Sequence, residues 1–129
     1  MSIVKGLIID TPHIDNILSG QKIWEMRSTA TKQRGLVALI RKGSGAIVGV
    51  VEIIDSIGPF NKSDMLANIS KHMISAVRLD DPKVSKWNNA WVMKAARPFR
   101  HPVRYAHPNG AVIWVNLSEA TCSAIAEAV

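Results

Sequence analysis

Eight residues, Gly20-Gln21-Lys22-Ile23-Trp24-Glu25-Met26-Arg27, hold two cations, one carboxylate and a tryptophan. Chains built only for stability rarely crowd charge so closely against large apolar side chains. Lys22 carries a compact charge whose pKa falls readily when an aromatic or another cation desolvates it, which would suit it to act as base or nucleophile. Glu25 can orient that ammonium or pass a proton, and the planar fork of Arg27 suits a phosphate or carboxylate. The plainer alternative is a surface strand whose Glu25 and Arg27 form an ion pair of small worth. In a regular strand Lys22, Trp24 and Met26 face one way while Ile23, Glu25 and Arg27 face the other. Lys22 and Glu25 therefore meet only if the backbone around 21–23 is irregular, a distortion that Gly20 makes cheap.

A second cluster lies downstream. Arg97, Arg100 and Arg104 alternate with Phe99, His101 and Tyr105, an arrangement that fits phosphate contacts beside base-stacking rings. Read as structure alone, it is an edge strand guarded by proline and arginine, with Phe99 in the core. Of the four tryptophans, Trp24 is the expected stacking platform, while Trp87, Trp91 and Trp114 are expected to pack. His13, His72, His101 and His107 show no ligand spacing, and Cys122 is the only cysteine. No metal site, disulfide or cofactor is expected.

The elements that position these residues follow from the pattern. Ile3 to Ile9 reads as a buried strand, and Asp10-Thr11-Pro12 opens a short helix with Ile14, Ile17 and Leu18 on one face, ended by Gly20. Asp10 or Thr11 is the expected cap, with Pro12 at the first helical position. Strands are expected at Ile23 to Arg27, Leu36 to Ile40 and Ala46 to Asp55, the last two joined as a hairpin through Arg41 to Gly45. A helix capped by Ser63 is expected over Asp64 to Ser70, with Met65, Leu66 and Ile69 inward. Residues 71–89 show no clean period, apart from a short helix ending near Trp87. Ala90 to Met93 reads as a strand, followed through Pro108 by edge strand or extended loop. Ala111 to Leu117 reads as the last strand, and Ser118 caps a terminal helix.

Sixteen Lys and Arg face ten Asp and Glu, a net charge of +6. With Glu119 and Glu127 set aside, the first 117 residues carry sixteen bases against eight acids, +8. Such a body favours polyanions through counterion release and steering, although surface charge also serves solubility. No stretch approaches the roughly 18 apolar residues of a membrane span. The N-terminal run is too short for a secretory leader, so a cytoplasmic location is expected.

The spacing Gly20-x-Lys22-x-x-Glu25-x-Arg27, after a first strand and short helix, resembles the GxKxxExR signature of the ASCH domain, a family of the PUA-like superfamily of small β-barrels. The resemblance continues at Gly49 to Glu52, at Ala90-Trp91-Val92, at Pro102 to Tyr105 and at Gly110 and Trp114. It spans roughly residues 3–117. It implies an α+β fold: a small PUA-like β-barrel of about six strands with three or four short helices. The whole of 1–129 would be one domain, with residues 118–129 as an added helix. It also implies a cleft between barrel and first helix, suited to RNA or nucleotides. Similar proteins hydrolyse N4-acetylcytidine or cleave RNA. In the amidohydrolase branch a lysine matching Lys22 works with a threonine three residues on and a later glutamate. Here Glu25 holds the threonine position and the Asp64 helix has no glutamate, which argues against that activity.

The resulting expectation is an RNA- or nucleotide-binding domain, with weak RNA hydrolysis as an added activity. Lys22 and Glu25 would be catalytic; Trp24, Arg27, Arg97, Arg100, Arg104 and Tyr105 would bind. The alternatives are a hydrolase of a modified nucleoside or amide with a lysine base, and an adaptor whose basic face meets an acidic protein. The oligomeric state is not legible.

Overall fold

The computed structural model describes residues 3–129. Apolar residues at every second position build the sheet, and short helical segments pack against it. In chain order the elements are β1 (Lys5–Ile9), α1 (His13–Leu18), β2 (Trp24–Arg27), β3 (Gly35–Arg41) and β4 (Ala46–Ile57). They continue with α2 (Lys62–Ala67), α3 (Ile69–His72), a 3-10 turn (Arg78–Asp80), α4 (Pro82–Ser85), β5 (Asn89–Arg104), β6 (Trp114–Asn116) and α5 (Glu119–Ala128). All six strands form one curled half-barrel sheet in the order β2-β5-β4-β3-β1-β6. Only β1 and β3 run parallel; the other neighbours are antiparallel. The fold is α+β.

Alternation divides the core into three parts. Leu7, Ile9, Val37, Leu39, Val51, Ile53, Trp91 and Met93 line one face and meet Ile14 and Ile17 of α1. Ile8, Ala38, Ile40, Ile47, Val50 and Val115 line the other and meet Ile125 of α5. Trp24, Met26 and Ala90 pack on Met65, Ile74, Leu79 and Val84 from the segments between β4 and β5. Each such side chain contributes about 1.5–3 kcal/mol when fully buried. Gly49 lets α1 come this close, because a Cβ there would lie 2.5 Å from Leu18 Cδ2 and 2.6 Å from the Arg97 carbonyl oxygen.

Several boundaries differ from the sequence expectation. The strand expected at Ala90–Met93 continues through the prolines to Arg104. The reason is that β2 pairs only with Asn89 to Val92, so beyond that point one side of β5 has no partner and Pro98 and Pro102 break no ladder. Gly49 faces Pro98 and Ile47 faces Val103, so Phe99 to Pro102 bulge out opposite Val48. The helix expected at Asp64–Ser70 is two helices, divided at Asn68, and its cap is Asn61 in a reciprocal box with Asp64. Met65 is buried there, but Leu66 is 44 % exposed. Neither Asp10 nor Thr11 caps α1; Pro12 takes the capping position without a side-chain bond. The last strand is shorter than expected, since β1 offers it only Lys5 to Leu7. Ser118 caps α5 as expected, accepting from the Thr121 N–H. Among the described residues, no helix is long and apolar enough to cross a membrane.

Candidate functional site

Gly20, at φ +83°, ends α1, and the next three residues leave regular geometry. The Lys22 N–H donates to the Asn16 carbonyl at 2.9 Å, and the Ile23 N–H to the Lys71 carbonyl at 3.0 Å. The Ile23 carbonyl in turn accepts from Met93 N–H at 2.8 Å, so β2 begins only at Trp24. This irregular step rotates Lys22 toward Glu25, with Nζ 4.0 Å from Oε1.

Lys22 is 2 % exposed, and its ammonium donates to the carbonyl oxygen of His72. Burial lowers its pKa to about 8; Glu25 opposes the shift, while Arg78 and Arg27 add to it. His72 anchors the carbonyl. Its Nδ1 accepts from Ile74 N–H at 2.9 Å, so Nε2 carries the proton and donates to the Met65 carbonyl at 2.7 Å. Burial keeps this ring's pKa below the usual histidine value. Glu25, also buried, accepts on Oε2 from Arg27 Nε at 3.0 Å, and Arg27 Nη2 lies 2.9 Å from the same oxygen. Arg27 Nη2 further donates to the Ile8 carbonyl at 2.8 Å, and its guanidinium lies 5.5 Å from the Trp91 ring centre.

These three side chains form the floor of a cleft of about 450 Å³, within the size range of small-molecule sites. Thr11, Pro12 and His13 at the start of α1 form one wall, and Arg78 and Trp87 another; Lys42, from the β3–β4 turn, also lines it. Lys42 and Arg78 are exposed, and neither forms an ion pair with a described residue. The half-buried His13 has a lowered pKa, first from burial and then from Lys22. The floor therefore spends its charges internally, while the rim offers free cations. At the base of the cleft an ammonium and a carboxylate lie 4.0 Å apart as a buried ion pair.

The other expected site residues lie elsewhere. Trp24 turns away from the cleft and stacks on Phe60, ring centres 5.1 Å apart, with the Lys71 ammonium 4.9 Å from its ring. It is 7 % exposed and part of the core. Arg97, Arg100, Arg104 and Tyr105 lie on or just past the outer half of β5 and do not line the cleft. Arg100 sits in the bulge, and Arg104 Nη1 donates at 3.0 Å to the Ser44 carbonyl, in the turn that carries Lys42. The Tyr105 hydroxyl pairs with His107 Nδ1 at 2.7 Å, and partial burial raises its pKa. Sequence reasoning did not single out His13, Lys42, Arg78 or Trp87 for the cleft. Lys42 had one signal, its place in a glycine-rich turn; Arg78 sits in the stretch without a period and had none.

No protein-family model matches the sequence, and no curated protein matches it. Solved structures do match in shape. The ASCH protein of Zymomonas mobilis superposes with a TM-score of 0.68 at 10% identity, covering 95% of this chain and 93% of that one. A serine-to-alanine variant of it gives 0.70 at 11% identity, over 95% and 94% of the two chains. A tyrosine-to-phenylalanine variant gives 0.68 at 10% identity, over 95% and 96%. At such identity the likeness speaks for architecture, and the architecture of this chain is that of the ASCH domain.

Proposed function

We propose that the protein binds RNA, or a nucleotide released from it, in the cleft above Lys22, Glu25 and Arg27. One observation carries the reading: a cleft of nucleoside size has a rim that bears Lys42 and Arg78, cations without an ion-pair partner among the described residues. In this reading the rim cations hold phosphate, Trp87 and Pro12 flank the base, and Lys22 and Glu25 meet its polar edge. Trp24 supports the floor from behind, and Arg27 holds Glu25 in place. Arg97, Arg100, Arg104 and Tyr105 extend contact to flanking nucleotides past the turn that carries Lys42. The test is fluorescence anisotropy with single-stranded RNA across a salt series. Affinity that falls steeply with salt and drops in Arg78→Ala is expected. Salt-insensitive binding, or none, sinks the reading.

Hydrolysis of RNA or of a modified nucleoside is the second reading, favoured by the buried Lys22–Glu25 pair at the base of the same cleft. With a pKa of about 8, Lys22 holds an appreciable fraction of free amine near neutrality. Turnover would then vanish in Lys22→Ala while the fold persists; an unchanged rate removes Lys22 from the chemistry.

A further inference from the structure

We infer that a second basic trough, formed by Lys5, Lys32, Arg34 and Trp114, is a phosphate-contacting subsite for single-stranded RNA. This deepens the reading of the protein as RNA-binding and rests on it. The trough lies at the opposite end of β1 from the cleft: Lys5 begins that strand, and Ile8 and Asp10 near its end line the cleft. At the usual rise per residue the two are on the order of 13 Å apart along β1, within reach of a few nucleotides.

A row of rings joins them. The Arg27 guanidinium lies 5.5 Å from the Trp91 ring centre. Trp91 stacks on Trp114 at 5.7 Å and 12°, and Lys5 Nζ lies 5.9 Å from the Trp114 ring centre. The row starts where the Arg27 side chain of β2 bonds the Ile8 carbonyl of β1. Trp91, in the middle of the row, is buried in the core, so the row braces the cleft floor and the trough from beneath, with a cation at each end.

The trough is built to receive charge rather than a base. It is wide and shallow, about 560 Å³, and the Trp114 ring is already taken by Trp91 and Lys5. Three cations face one carboxylate, Asp55, which lies 3.8 Å from Arg34 with both side chains about half exposed. Such a pair is worth little and yields readily to a phosphate. Lys32 is exposed and makes no hydrogen bond or ion pair to a described residue.

The loop that carries Lys32 is fixed beforehand. Trp91 Nε1 donates to the Thr29 carbonyl at 2.9 Å, and Thr31 N–H to Ser56 Oγ at 3.1 Å. Gln33 N–H donates to Thr31 Oγ1 at 3.1 Å, and Arg34 Nη1 to the Thr31 carbonyl at 2.9 Å. Holding the loop in advance lowers the ordering cost of binding.

The experiment compares a ten-nucleotide single-stranded RNA with a 5′-mononucleotide, on wild type, Lys32→Ala, Lys32→Glu and Arg78→Ala. Expected for Lys32→Ala is a loss of about threefold or more for the decamer and a salt slope smaller by about 0.7, the value of one phosphate contact on a single strand. Lys32→Glu deepens the loss, and mononucleotide affinity stays unchanged in both. A decamer whose affinity and slope are unchanged in Lys32→Ala and Lys32→Glu overturns the trough while leaving the cleft standing. If Lys32 matters and Arg78 does not, the trough stands and the cleft reading fails. If wild type binds neither probe, both fall.

Discussion

Arg27 Nη2 donates to the Ile8 carbonyl oxygen at 2.8 Å, and in doing so joins β2 to β1, two strands that share no ladder. The half-barrel is held shut at this point by a guanidinium. The same group accounts for both of the close contacts to Glu25 Oε2. Arg27 thus fixes the carboxylate that faces Lys22, and its own charge is largely spent in doing so.

Removing it leaves a buried carboxylate half-partnered and an unmet carbonyl. Arg27→Ala is therefore expected to destabilise the fold by about 3 kcal/mol, the scale for breaking a buried pair. Arg27→Lys restores part of this, since a lysine supplies charge but not the fork. Urea unfolding midpoints check both, and an alanine variant within about 0.5 kcal/mol of wild type would contradict the closing role.

Lys22 makes stability depend on alkaline pH. Its folded pKa, about 8, is below the unfolded value of 10.5. Below pH 8 both states hold the proton and the folded state bears the cost of a buried charge. Between pH 8 and about 10.5 the unfolded chain binds more protons, so unfolding free energy rises with pH, by about 3 kcal/mol at most. Lys22→Met is expected to flatten that rise. Unfolding midpoints from pH 7 to 10.5 give the test, and equal slopes in the two proteins would refute it.

Gly49→Ala places a methyl against Leu18 Cδ2 and the Arg97 carbonyl. Leu18 can turn, but the backbone oxygen cannot, so a cost of about 1–3 kcal/mol is expected. Because Leu18 belongs to α1, the strain also moves His13 at the cleft. Ligand affinity should fall along with the thermal midpoint, whereas a loss of stability with unaltered affinity would detach α1 from the site.

Lys42→Ala and Arg78→Ala act on exposed side chains without ion-pair partners among the described residues. Each is expected to weaken nucleotide binding several-fold and to lower the salt slope by about 0.7 on single-stranded RNA, with stability changed by less than about 0.5 kcal/mol. Anisotropy paired with thermal unfolding separates the two effects.

Much of this arrangement was legible in the sequence because it is local. Near-continuous apolar runs marked β1 and the β3–β4 hairpin, and Ser118 marked α5. Side-chain alternation alone required an irregular step after Gly20 if Lys22 was to meet Glu25. What was not legible depends on distant partners. Ile74, Leu79 and Val84 each reach β2 from a separate short turn, so no single period runs through 71–89. Pro98 and Pro102 left edge strand and extended loop both open, and the one-sided strand exists because β2 ends where it does. The position of Trp24 depended on Phe60, thirty-six residues away, and Arg78 reaches the rim through tertiary packing alone.

The shortness of β2 also sets an order of assembly. β3 and β4 close as a local hairpin, whereas β2 must wait for β5, about sixty-five residues later in the chain. Such distant pairing is slow because loop closure costs entropy before contacts repay it. The strand that carries Glu25 and Arg27 therefore docks after the hairpin and loosens before it. Its amides should exchange with solvent faster than those of the hairpin, and equal protection in both would refute this order. A nascent chain would have its β3–β4 hairpin before it has its cleft, and would be competent to bind only after residues 89–92 have emerged.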